Sequence, residues 1–147
     1  MIRLAVIADL PAIGACAEAA YAQYIPRIGR RPAPMDADYA ALVEAGHVRV
    51  ACDEAGAVLG FVAYWAEADH VYLDAVALLP AAAGRGLGRK LVACAEAAAR
   101  ATGLPEVRLY TNAMMTENLT LYPHLGYVQV DRRMDAGFDR VFYVKTV

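Results

Sequence analysis

Cysteine is scarce and scattered in this chain: Cys16, Cys52 and Cys94 are odd in number, far apart, and form neither a C-x-x-C pair nor a set with histidine at metal-ligand spacing. That argues against a disulfide framework or a clustered metal site, and the three thiols are expected to be small buried hydrophobes in a reducing compartment. An excess of one charge is lacking as well. Lys plus Arg number 14 against 16 Asp plus Glu, a net charge of −2, so there is no basic footprint for nucleic acid and a cationic partner is mildly favoured. Long hydrophobic runs are also missing. Although 59% of the residues are hydrophobic, much of that is alanine, and no stretch free of Asp, Glu, Lys and Arg reaches the ~18 residues of a membrane span. Asp9 interrupts the apolar residues after Arg3, so no signal-peptide core is expected, and the expected location is cytoplasmic. Repeats, linkers and low-complexity tracts are absent, and residues 1–147 suit one domain with a sizeable core.

What the chain does have is glycine concentrated at one place. In Ala75-Val-Ala-Leu-Leu-Pro-Ala-Ala-Ala-Gly-Arg-Gly-Leu-Gly-Arg-Lys-Leu91, an apolar strand is stopped by Pro80, and a helix then begins among Gly84, Gly86 and Gly88. Glycines there let backbone amides approach a ligand, and a helix N-terminus aims unsatisfied N–H groups and a positive dipole end at it. An anion is the expected guest. Two familiar phosphate loops fail on counting. A dinucleotide fingerprint G-x-G-x-x-G from Gly84 needs glycine where Arg89 stands, and a P-loop needs glycine at that same position and Ser or Thr where Leu91 stands.

The remaining pattern predicts a strand at Arg3–Val6, a helix opened by Asp9 with Pro11 in its first turn, and a loop from Ile25 to Met35. A second helix is predicted over Asp36–Ala45, ending at Gly46. Val48–Cys52 and Val58–Trp65 read as a hairpin, and Val71–Leu79 as a central strand covered on both faces. After the glycine loop comes a helix with the stripe Leu87, Leu91, Ala95 and Ala98, then a strand at Glu106–Thr111 and a short helix near Thr116–Leu125. Tyr127–Val130 and Val141–Val144 close a last hairpin across Asp135, Ala136 and Gly137. On the short helix, Asn118 and Tyr122 are spaced i,i+4 and so share a face.

With this order, β-α-α-β-β-β-α-β-α-β-β, and with the loop Ala83-Gly84-Arg85-Gly86-Leu87-Gly88, the whole chain resembles the GNAT superfamily of acetyl-CoA-dependent N-acyltransferases. The resemblance implies an α/β (α+β) fold: a mixed, mostly antiparallel sheet of six to seven strands flanked by about four helices. It implies acetyl-CoA as co-substrate, no metal, and an amine acceptor that is a small molecule or a peptide. Neither nucleic acid nor membrane is an expected partner. Dimers are common in the family, and the C-terminal hairpin offers an edge for one. The coenzyme A site would comprise backbone groups of Val76, Ala77 and Leu78, the loop residues Ala83, Gly84, Arg85, Gly86, Leu87, Gly88 and Arg89, and Asn118 with Tyr122. Ala83 departs from the Gln or Arg usual at its position, and Pro123 from the polar residue that usually follows the tyrosine.

The resemblance assigns Tyr122 the proton for the departing thiolate; the bland alternative packs it against Leu121 and Leu125 while Asn118 satisfies a helix end. Asp74 is an acid in an apolar strand, where a charge needs a partner, a raised pKa or exposure at a cleft. It is therefore a candidate base, with a solvated or salt-bridged place at a sheet irregularity as the alternative. Tyr24, Arg27, Arg30 and Arg31 are candidates for binding an anionic acceptor, against a reading in which the arginines pair with Asp36 and Asp38. A second class of function stays open, a module that binds acyl-CoA without transferring from it.

Overall fold

The computed structural model describes residues 1–147 throughout. Seven strands form one sheet: β1 (Ile2–Leu4), β2 (Val48–Cys52), β3 (Val58–Ala66), β4 (Val71–Leu78), β5 (Glu106–Asn112), β6 (Val128–Asp135) and β7 (Phe138–Thr146). Around it lie α1 (Leu10–Tyr21), the single turn α2 (Ile25–Ile28), α3 (Tyr39–Glu44), α4 (Leu87–Thr102) and α5 (Thr116–His124). The strand order is β1-β2-β3-β4-β5-β7-β6, and every neighbouring pair is antiparallel except β4 with β5. No helix is long and apolar enough to cross a membrane.

Two apolar clusters sandwich the sheet. On one face α1 and α3 bury Ile13, Cys16 and Val43 against Val48, Val50 and Phe61. On the other, α4 and α5 bury Leu91, Val92 and Tyr122 against Val62, Val107 and Val141. Strand β4 serves both, and its side chains change faces midway. Val71 and Leu73 belong to the α4 cluster, whereas Ala75 and Ala77 belong to the α1 cluster. Alternation would keep all four on one face. The switch comes from a bulge: Ala63 on β3 pairs with Ala75, but Tyr64 pairs with Leu73, so Asp74 is the extra residue.

Local capping moves several helix ends from their predicted positions. Asp9 does not cap α1. Its carboxylate accepts the Val6 amide at 2.8 Å and both terminal nitrogens of the Arg3 guanidinium, closing a 3-10 turn before the helix. The second predicted helix starts later than Asp36, because Asp38 caps α3 by accepting the Ala41 amide at 3.1 Å. Helix α4 runs between two left-handed glycines, Gly86 at φ 75° and Gly103 at φ 72°. Pro123 lies inside α5 one residue from its end, where only one helical hydrogen bond is lost. The last hairpin is longer than predicted. Ala136 and Gly137 both take positive φ, the backbone of a tight hairpin turn, and β6 pairs with β7 along most of its length. Almost all of β6 is solvent-exposed, so no burial pattern marked its extent.

Candidate active site

The site exists because the one parallel pair is short. β4 and β5 meet only where Val71 and Tyr72 lie opposite Val107 and Arg108; beyond that point the strands part and leave one edge of β4 unpaired. A cavity of about 530 Å³, including its open mouth, occupies the split. Its walls come from α1, β4, β5, α5, β7 and the segment between α2 and α3.

Backbone direction along β4 follows from two contacts. The Tyr21 hydroxyl donates to the Val76 carbonyl at 2.8 Å across the gap, whereas the Leu79 amide donates to Leu59 on the β3 side at 2.8 Å. Backbone groups alternate sides in a strand, so Val76 and Leu78 face the gap and Ala77 faces β3. The close approach of the Ala77 carbonyl to Gly60, 2.6 Å from where a Cβ would stand, agrees. Ala77 is thus a correction to the expected coenzyme site: its backbone belongs to the sheet and its side chain to the core.

Tyr122 and Asn118 both reach this cavity. The Tyr122 ring is fixed between Tyr127 and Tyr143, with centroids at 5.8 and 5.9 Å. Its hydroxyl has no protein partner, and since no unpartnered side-chain oxygen is fully buried, that oxygen keeps an open side in a residue that lines the cavity. Burial raises its pKa above the usual phenol range, which keeps the proton on at neutral pH. Asn118 donates its Nδ2 to Thr111 Oγ1 at 3.1 Å, which pins the start of α5 to β5.

Asp74 sits on the cavity wall because the bulge turns it there. It forms no ion pair. Burial raises its carboxyl pKa, and the Tyr72 hydroxyl offsets part of that rise. A carboxylate whose pKa is raised is a stronger base than an ordinary one.

The glycine loop presents its backbone as the composition predicts. Gly84 and Gly86 take φ of 81° and 75°, and a Cβ on either would meet nothing within 4 Å, so their open sides face free space. The first amide of this segment to be used inside the helix is that of Lys90, which donates to Gly86 at 3.3 Å; those from Gly84 through Arg89 donate to no backbone carbonyl. Arg85 holds the loop by donating to the Ala81 carbonyl at 3.2 Å. Ala83 is a second correction, since its amide is committed to Pro80 at 3.2 Å. Gly88 faces Leu78, 3.5 Å from its would-be Cβ, and lets α4 approach β4.

The arginines between Ile25 and Met35 are engaged within the fold. Arg27 pairs with Glu117 at 2.9 Å, and Tyr24 donates to that same carboxylate at 3.0 Å. Arg31 bridges Glu18 and Asp36. Arg30 stacks on Phe138 at 3.7 Å and donates to the Ala136 carbonyl at 3.2 Å, strapping the loop to the last hairpin. None of the four side chains lines the cavity, whereas Pro32 and Pro34 of the same segment do. The cation that does line it is Arg140, which sequence reasoning missed. A signal was present. In Phe138-Asp-Arg-Val-Phe142, alternation puts Arg140 on the same face as two aromatics and opposite the core residue Val141.

The sheet is split at its one parallel pair, and the open-amide loop at the start of α4 follows the strand that borders the split. Residues 15–127 match the acetyltransferase (GNAT) family, and the chain belongs to it. A stretch of 65 residues is 38% identical to the uncharacterized N-acetyltransferase YjgM of Escherichia coli strain K12, covering 44% of this chain and 39% of that protein. Another, of 93 residues, is 31% identical to mycothiol acetyltransferase of Jonesia denitrificans, covering 60% of this chain and 29% of that one. The chain thus spans well under half the length of these curated relatives. Over its whole length it shares the fold of PaiA N-acetyltransferase of Thermoplasma acidophilum, solved in complex with coenzyme A: TM-score 0.81, 17% identity, covering 100% of this chain and 98% of the other.

Proposed function

We propose that the protein transfers an acetyl group from acetyl-CoA to a primary amine by direct attack in a ternary complex. One observation carries this reading: a single cavity brings together the unpartnered Tyr122 hydroxyl, the unpaired Asp74 carboxylate and the gap-facing backbone of Val76. Asp74 accepts one proton from the acceptor ammonium, directly or through water, freeing the nitrogen lone pair. The C–N bond forms as the carbonyl becomes an oxyanion, which the Val76 amide is oriented to stabilise. The C–S bond then breaks, and Tyr122 gives its proton to the departing thiolate. The second proton of the nitrogen restores the phenol, and the proton on Asp74 returns to solvent. The open amides from Gly84 to Arg89 would hold the pyrophosphate at the N-terminus of α4, with Leu78 backbone and Asn118 beside the pantetheine arm.

Thermal unfolding with acetyl-CoA, NAD and ATP, followed by thiol release in an amine screen, tests this. Acetyl-CoA at ~100 times its Kd adds ~2.7 kcal/mol of stability. A shift with NAD and none with acetyl-CoA overturns the reading, and acetyl-CoA binding without thiol release for any amine makes the protein a binding module instead.

A further inference from the structure

The cavity's charged lining consists of one acid and one base, Asp74 and Arg140, and they are not paired with each other. Each lies near Tyr72, whose titration Asp74 and Arg140 push in opposite directions. Arg140 is buried, with 7% of its surface exposed. Its guanidinium stacks on Tyr110 at 4.2 Å and gives Nη1 to Asp135 at 3.0 Å. No other partner takes Nε or Nη2; no unpartnered side-chain nitrogen or oxygen is fully buried, so that edge keeps an open side in a residue that lines the cavity. Stacking fixes the plane of the group, and Nε with Nη2 forms the side-on fork that matches a carboxylate.

An acid without a cation and a fixed guanidinium with a free edge, set apart in one cavity, complement a molecule that carries both charges. Resting on the acyl-transfer reading above, we propose that the acceptor is a zwitterion: a small amino acid or similar amine whose carboxylate docks on Arg140 while its ammonium faces Asp74. Tyr21, Phe138, Pro32 and Pro34 add aromatic and apolar wall between the two charges, and Arg30 ties the hairpin bearing Arg140 to the segment that holds the prolines. Asp135 neutralises part of the guanidinium charge, so a single carboxylate suits the site better than a dianion.

The test compares matched amines in wild-type protein by coenzyme A thiol release. Amino acids with one to four carbons between amine and carboxylate are measured beside their carboxamides and their decarboxylated amines. At least one amino acid is expected to exceed both of its counterparts by about 10–100-fold in kcat/KM, the worth of a charge-assisted bidentate contact. In Arg140→Gln and Arg140→Lys the same preference collapses toward unity, with KM rising more than kcat falls. Carboxamides or plain amines that match the amino acids overturn the proposal, as does an unchanged preference in the variants, and so does the absence of turnover with every amino acid. The donor half is read separately: calorimetric binding of acetyl-CoA in the absence of acceptor fails only if the acyl-transfer reading itself is wrong.

Discussion

Asp74 and Glu96 are both acids set among apolar residues, and the difference between them is the basis for proposing Asp74 as the base. Glu96 lies on α4 with 8% of its surface exposed; its carboxylate accepts Lys145 Nζ and the Tyr127 hydroxyl, each at 3.0 Å. Lys145 also donates to the Leu125 carbonyl at 2.9 Å, which ties the end of α5 to β7. Every oxygen there is occupied, and the cluster is a fastening. Asp74 has no cation paired with it, only the phenols of Tyr72 and Tyr39 nearby, and it lines a cavity. Burial alone does not mark a functional acid; burial without a cation, next to space for a ligand, does.

The largest effect that can break this contrast is at the proton donor. Tyr122→Phe is expected to lower kcat by ~10²–10⁴ with acetyl-CoA affinity little changed, measured by steady-state thiol release and calorimetry. Unchanged turnover would return Tyr122 to the aromatic cluster with Tyr127 and Tyr143. Asp74→Asn is expected to lose at least ~10² in kcat at neutral pH while gaining thermal stability. The sign follows from linkage. A carboxyl whose folded pKa is raised binds more protons folded than unfolded, so stability falls as pH rises from the ordinary carboxylate range through the raised value. The asparagine variant is therefore the more stable at neutral pH, and the two converge in acid. Equal melting temperatures at both pH values would show that Asp74 has a partner after all.

Glu96→Gln is expected to do the reverse: stability falls by about 2 kcal/mol, because Lys145 is left without its carboxylate, while kcat per folded molecule holds. Gly86→Val forces a branched residue into left-handed backbone, costing about 1–2 kcal/mol, and is expected to weaken acetyl-CoA binding by about tenfold. The smallest change is at Arg31→Ala, where loss of exposed pairs to Glu18 and Asp36 is worth under about 1 kcal/mol. A tenfold rise in acceptor KM there would show that the arginine loop binds substrate directly.

The open amides at the start of α4 were legible in the sequence because they depend on backbone. A strand stop, three glycines and a helix start predict open amides whatever the tertiary contacts, and the structure has them at Gly84 and Gly86. The cavity's side-chain lining was less legible because it depends on which side chains find partners across the fold. Arg27 meets Glu117 some 90 positions away, and Arg31 meets Glu18, contacts that no local pattern encodes. The bulge was hidden for the same reason. A single extra residue at Asp74 shows only in register with β3, though the lone acid in an apolar run pointed to its place. The extent of β6 was missed because an edge strand exposed along nearly all of its length has no burial period to read.

The most direct test of the central claim is the pH dependence of kcat/KM in wild type and Asp74→Asn, with one acceptor and saturating acetyl-CoA. A base of raised pKa at the bulge predicts an ascending limb in wild type set above the ordinary carboxylate range, and its loss with a rate lower by at least ~10² in the variant. A variant that keeps both the wild-type rate and the wild-type limb would contradict it.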